Sequence, residues 1–84
     1  HEKYPALGIA YECLKRGGTA ACTMNGANEV AVAAFLKHQC GYNDIVGAIR
    51  HALEKATFIA NPSLEEYALA NEESRRLARE YLKL

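Results

Sequence analysis

Three breaks punctuate this chain, at Gly17-Gly18, at Gly41 and at Asn61-Pro62, and each stretch between them repeats its apolar residues at helical spacing. The alternation that a half-buried strand needs is nearly absent. Alanine, the strongest intrinsic helix former, stands at fifteen positions, so an all-α chain is expected. Short connections between four periodic segments imply antiparallel neighbours, hence a compact four-helix bundle-like domain. The first and last helices are expected to flank the two middle ones.

Pro5 suits the first turn of a helix, where its missing N–H costs nothing, and Leu7, Ala10, Tyr11 and Leu14 follow on one face. Lys15 and Arg16 fall in the last turn, as the helix dipole prefers, and Gly17-Gly18 ends the element. Thr19 can cap a second helix whose inward stripe is Met24, Ala27, Ala31, Ala34 and Phe35, with Val30 beside it. A start capped by Asn25 is the rival, because it removes Gly26 from a helix interior, where glycine costs roughly 1 kcal/mol relative to alanine. The longer helix is preferred. Gly41 is expected to end it, and Asn43 or Asp44 to cap a third helix that points Ile45, Ile49, Ala52, Leu53 and Ala56 inward. Phe58 and Ile59 are expected to pack beyond its end.

Ser63 and Glu66 have the spacing of a capping box, in which each side chain meets the other's free backbone N–H. Leu64, Tyr67 and Ala68 follow. Asn71 before Glu72 and Glu73 reads as a second cap, which predicts that the last helix breaks near Asn71. Leu77, Ala78, Tyr81 and Leu82 form the final apolar stripe. Arg75, Arg76, Arg79 and Lys83 read as a solvated, dipole-compatible face in preference to an anion site.

With 84 residues the chain fits one small domain, which buries only roughly 60–65% of the surface of its unfolded form. That leaves little room for a core, a cofactor cleft and a substrate pocket together. Ten basic residues balance ten acidic ones, without the excess that a phosphate backbone rewards, so no nucleic acid partner is expected. Asn28, Glu29 and Lys37 interrupt the longest apolar stretches well short of the ~20 residues a bilayer needs. No N-terminal signal pattern precedes them, and no membrane association is expected. Cys13, Cys22 and Cys40 lack CxxC spacing, which argues for reduced thiols, and neither a disulfide framework nor a zinc knuckle. His1, His38 and His51 form no metal motif and are expected at the surface.

No nucleophile has a histidine at recognisable spacing, and no glycine-rich phosphate cradle follows a strand pattern. Glu65, Glu66, Glu72 and Glu73 are explained by the positive ends of helices more simply than by a divalent cation. The unusual polar cluster is Asn25, Asn28 and Glu29 within an otherwise apolar helix, with Asn25 and Glu29 sharing a face. One reading has Asn28 and Glu29 bind loop backbone and hold the helix in register. The other sets them over an active-site opening or a domain interface. The first is preferred, because a buried amide or carboxylate must be satisfied.

The series Tyr4-Pro5-Ala6-Leu7, Ala10-Tyr11-Glu12, Gly17-Gly18-Thr19-Ala20 and Asn25-Gly26-Ala27-Asn28-Glu29-Val30-Ala31-Val32-Ala33-Ala34-Phe35-Leu36 continues through Gly41-Tyr42-Asn43-Asp44-Ile45 and Pro62-Ser63-Leu64-Glu65-Glu66. It closely resembles the C-terminal region of 1-deoxy-D-xylulose 5-phosphate reductoisomerases. The likeness covers nearly the whole chain, and the block from Asn25 to Phe35 is its specific part. Gly26 departs from the alanine usual in the family pattern, and Ala20-Ala21-Cys22 lacks a proline common near that helix start.

The resemblance implies that residues 1–84 are the helical C-terminal domain of a larger multidomain enzyme, beside an NADPH-binding domain and a catalytic domain of the same chain. The parent reaction turns 1-deoxy-D-xylulose 5-phosphate into 2-C-methyl-D-erythritol 4-phosphate for non-mevalonate isoprenoid biosynthesis, with NADPH and Mg²⁺ or Mn²⁺. A homodimeric parent is implied, cytoplasmic in a bacterium or plastidic in a plant or alga. The family's catalytic, cofactor and metal residues map to no position of this chain, so it is expected to be inactive alone and to carry no cofactor of its own. Asn25, Asn28 and Glu29 are its structural or interface candidates. The alternative is a free-standing helical module that binds a partner through an exposed apolar groove.

Overall fold

The computed structural model describes residues 5–84, with side chains from Gly8 onward. His1, Tyr4 and the side chain of Leu7 therefore lie outside the described residues. Four helices follow one another: α1 (Pro5–Arg16), α2 (Ala20–Leu36), α3 (Tyr42–Lys55) and α4 (Leu64–Leu82), and the described residues contain no strand. Helices α2, α3 and α4 each pack against the other two. Helix α1 lies on α2 and touches α3, without reaching α4 among the described residues. The core is the place where the three longer helices meet: Ala27, Val30 and Ala31 from α2, Ile45, Ala48, Ile49 and Ala52 from α3, Leu77 and Ala78 from α4. So many alanines let the helix axes approach closely, and Ile49 is the largest fully buried side chain. Truncating such a residue typically costs about 2–5 kcal/mol.

Helix α1 ends as its glycines predict, with Gly17 and Gly18 at φ 67° and 54°, a region that side chains disfavour. Its buried face differs from the expected one. Cys13 is buried and Ile9 packs on the core, whereas Tyr11 and Leu14 are exposed. A short helix resting on one main neighbour covers a narrow stripe, and the apolar pattern of α1 is wider than that stripe.

Helix α2 starts at Ala20, the longer of the two alternatives, and Gly26 lies in its interior. Ala27, Ala31 and Ala34 face inward with Val30, Met24 is half-buried, and Phe35 is exposed. The helix stops at Leu36, before Gly41. His38, at φ 59°, supplies the left-handed residue, and Gln39 N–H donates to the Ala34 carbonyl at 2.8 Å. Gly41 instead occupies the cap position of α3, ahead of both expected caps. Asp44, three residues into α3, reaches back with Oδ2 to accept from Gly41 N–H at 2.8 Å. In α3, Ile45, Ile49 and Ala52 are buried as expected, and Leu53 and Ala56 are half-buried.

The capping box at the start of α4 is present in both directions. Ser63 Oγ accepts from Glu66 N–H at 3.2 Å, and Glu66 Oε1 accepts from Ser63 N–H at 2.9 Å. Beyond it the helix runs unbroken through Asn71. An asparagine in a helix interior costs less than ~0.7 kcal/mol relative to alanine. The buried side of α4, formed by Ala70, Ser74, Leu77 and Ala78, offsets that cost many times over if the helix stays continuous. Leu64, Tyr67 and Ala68 are exposed, so this half of α4 faces inward through Ala70 and Ser74 in their place.

Candidate functional site

The polar cluster of α2 lies along the seam with α4. Gly26 is buried there, and a Cβ on it would overlap Ser74 Oγ, with the Asn71 carbonyl oxygen 3.1 Å away. A side chain at position 26 would hold the two helices apart. One helical turn further on, Glu29 forms an ion pair with Arg75 of α4. The same guanidinium donates from Nε to Asn71 Oδ1 at 2.9 Å, and Ser74 Oγ donates to the Asn71 carbonyl at 2.8 Å. Asn71, expected as a helix cap, orients Arg75 toward α2.

Glu29 thus meets a side chain of the neighbouring helix, where loop backbone was expected. Asn25 is exposed and Asn28 half-buried, and neither carboxamide makes a hydrogen bond among the described residues. Their spacing places both with Ala21 and Val32 on one side of α2, of which Asn25 is exposed and Val32 is partly buried against the core. The structure joins Glu29 to the seam and leaves two carboxamides beside it, each able to donate and accept.

A second polar assembly escapes sequence reasoning. Thr19 is fully buried, and its hydroxyl does not cap α2. It accepts from Ile59 N–H at 2.9 Å and donates to the Thr57 carbonyl at 3.4 Å, while Thr19 N–H donates to the Ile59 carbonyl at 3.0 Å. Glu73 completes the clip from α4 by accepting from Thr57 N–H at 2.8 Å. Gly18 lets the chains approach, since a Cβ there would overlap the Ile59 carbonyl oxygen. The turn between α1 and α2 is thereby tied to the connection between α3 and α4. Phe58, beyond the end of α3, is exposed under the guanidinium of Arg16, 4.7 Å from its ring centroid.

Among the described residues no group of three His, Cys, Asp or Glu side chains could hold a metal ion, and no helix is long and apolar enough to cross a membrane. Cys13, Cys22 and Cys40 are free thiols. Burial pushes the Cys13 thiol up from its ordinary value, against the pull of Arg16, and desolvation with Asp44 nearby raises Cys40. His38 is exposed, but His51 departs from the expected surface position. It is half-buried between α3 and α4, its ring 5.4 Å from that of Tyr81 and its Nε2 3.8 Å from Glu80 Oε1.

Fold and seam together define an all-α domain whose polar groups hold helices and connections to one another. The chain belongs to the DXP reductoisomerase C-terminal domain family, whose model matches residues 1–77. Its relatives include the 1-deoxy-D-xylulose 5-phosphate reductoisomerase of Caulobacter vibrioides, 49% identical over 65 residues, which are 77% of this chain and 16% of that protein. The enzyme of the same name from Leptospira interrogans is 46% identical over 79 residues, 94% of this chain and 19% of the relative. That of Bacteroides fragilis is 36% identical over 81 residues, 96% of this chain and 21% of the relative. The chain spans about a fifth of the length of these curated relatives. No solved structure matches it.

Proposed function

We propose that residues 1–84 act as the helical C-terminal domain of a 1-deoxy-D-xylulose 5-phosphate reductoisomerase, supporting the catalytic part of the polypeptide. The observation that carries this reading is the family match over residues 1–77, together with the three relatives named above, which bear that enzyme's name. In this reading the whole enzyme converts 1-deoxy-D-xylulose 5-phosphate to 2-C-methyl-D-erythritol 4-phosphate as a cytoplasmic homodimer. NADPH and Mg²⁺ or Mn²⁺ are held, in the same reading, by the NADPH-binding and catalytic domains of that polypeptide. The domain's task is mechanical. A site displaced by ~1 Å can lose roughly a hundredfold in rate, so a rigid support has a kinetic effect without touching substrate.

Asn25 and Asn28 are the interface residues of this proposal, with Glu29 joining α2 to α4 beside them. Two carboxamides without an internal partner suit a surface that another domain covers, because each can satisfy a peptide group on the facing chain.

The test is a chimera in which this chain replaces the matched C-terminal segment of the Caulobacter vibrioides relative. It is expected to oxidise NADPH in the presence of 1-deoxy-D-xylulose 5-phosphate and Mg²⁺ or Mn²⁺, while the 84-residue chain alone does not. Turnover by the chain alone, or a folded chimera without activity, overturns the proposal. Asn28→Ala separates the two roles of the α2 cluster. An unchanged thermal midpoint of the chain with reduced chimera activity supports the interface, and a lowered midpoint supports a role internal to the domain.

A further inference from the structure

The outer side of α4 carries a charge pattern that neither the seam nor the clip uses. Glu65, Ala68, Leu69 and Glu72 follow one another on one exposed stripe, and Arg76, Arg79 and Lys83 continue it to the helix end. The spacing keeps those from Glu65 to Arg79 within one face, opposite the buried Ala70, Ser74, Leu77 and Ala78, and Lys83 follows as the exposed left-handed residue that caps the helix. The stripe is acidic in its first half and basic in its second, and Leu69 is 64% exposed within it.

The helix dipole accounts for Glu65, Arg79 and Lys83 at the two ends but not for Glu72 and Arg76, because its influence fades within the first and last turns. Glu72 and Arg76 lie in the middle of a 19-residue helix. Nor do they serve each other as an intrahelical pair. Arg76 is held by Glu80 at 3.5 Å, and no ion pair joins it to Glu72 among the described residues.

We infer that this stripe is a self-complementary docking surface on which a second copy of this chain binds through its own α4, in the antiparallel sense. A two-fold axis at the level of Ser74 sets Glu65 opposite the second copy's Lys83, and Glu72 opposite its Arg76, each pair occurring twice. The same axis lays the aliphatic stem of Arg79 over Leu69. The match needs no other partner, because one helix supplies both signs of charge at mirrored positions. A parallel arrangement would set like charges together. The stripe is about 27 Å long at a helix's rise per residue, and one helix face buries less than the ~800 Å² per partner of a standard interface. The association is therefore weak, reversible and salt-sensitive, and it is independent of the proposed role in the enzyme.

Sedimentation equilibrium on the 84-residue chain tests this without any substitution. Dimers are expected at high protein concentration in about 0.1 M salt, with at least a ~10-fold weaker association at about 1 M, where the Debye length falls from roughly 10 Å to 3 Å. A basic variant, Glu65→Lys with Glu72→Lys, and an acidic variant, Arg76→Glu with Lys83→Glu, should each be monomeric alone and pair when mixed. Circular dichroism verifies that both remain helical. A wild-type chain monomeric throughout, a dimer indifferent to salt, or helical variants that dimerise alone as the wild type does would each overturn the inference. The wild-type salt series decides the matter if either variant loses its helix.

Discussion

Gly26 of α2 lies directly under the Ser74 hydroxyl of α4, and no side chain larger than hydrogen fits between them. The hydroxyl is itself turned to the Asn71 carbonyl, at 2.8 Å. This contact between the two helices thus depends on a pair of small residues 48 positions apart in the sequence.

Replacing Gly26 by alanine sets two effects against each other. The helix gains up to about 1 kcal/mol of intrinsic propensity, while overpacking at a closed contact costs typically about 1–3 kcal/mol. Gly26→Ala is expected to destabilise the wild-type chain, and to do so less in a Ser74→Ala background, where the Asn71 carbonyl oxygen at 3.1 Å is the tight contact that remains. Thermal unfolding of the two single variants and the double variant measures this, and additive effects would contradict the contact.

Thr19→Val keeps the shape of the side chain and removes its hydroxyl. The Ile59 N–H then loses a partner in a buried place, at a cost of about 1–3 kcal/mol. Hydrogen exchange gives the local reading: the Ile59 amide should exchange faster in the variant, with amides at the middle of α3 affected only as far as global stability falls.

Breaking the ion pair between Glu29 and Arg75 should matter less. Their side chains are 63% and 32% exposed, and pairs of this kind contribute about 0–1 kcal/mol. Glu29→Gln is expected to lower stability by less than about 1 kcal/mol in dilute buffer, and its effect should shrink in high salt. Denaturant titrations at two ionic strengths provide the comparison.

The buried Cys13 thiol gives a pH dependence of definite sign. Its proton is held more tightly in the folded state, so it adds stability that is fully present below the ordinary thiol value of 9.0 and is lost as pH rises through the raised folded value. Above about pH 9 the wild type should lose stability more steeply than Cys13→Ala, until the folded thiol has titrated, by no more than about 1.4 kcal/mol per pH unit. Equal slopes would show that the thiol titrates alike in both states. Cys40, raised in the same direction, is present in both proteins and cancels.

Local signals were legible wherever a few neighbouring residues suffice to make a bond. Gly17-Gly18 ends α1, and Ser63 with Glu66 opens α4 as expected. The inward residues of α3 also follow their helical period. Asn71 shows where such reasoning stops. Its short side chain suits a cap, yet it lies inside α4 with Oδ1 on Arg75, because packing on α2 and α3 outweighs the small propensity of one residue. Gly41 and Asp44 show a milder version, with the cap displaced and its carboxylate still engaged.

The sequence by itself therefore determined the helical class, the number of helices and the family to which the chain belongs, since periodicity, end signals and the Asn25-to-Phe35 block are all local. Only the tertiary structure decided what the polar residues do. Gly26 reads as a weakness in α2 until Ser74 is brought over it, and Thr19 reads as a cap until Ile59 arrives from 40 residues away. The physical reason is that a hydrogen bond or steric contact acts over a few ångströms. Which distant residue falls within that range is set by how whole helices pack, not by the residues beside it in the chain.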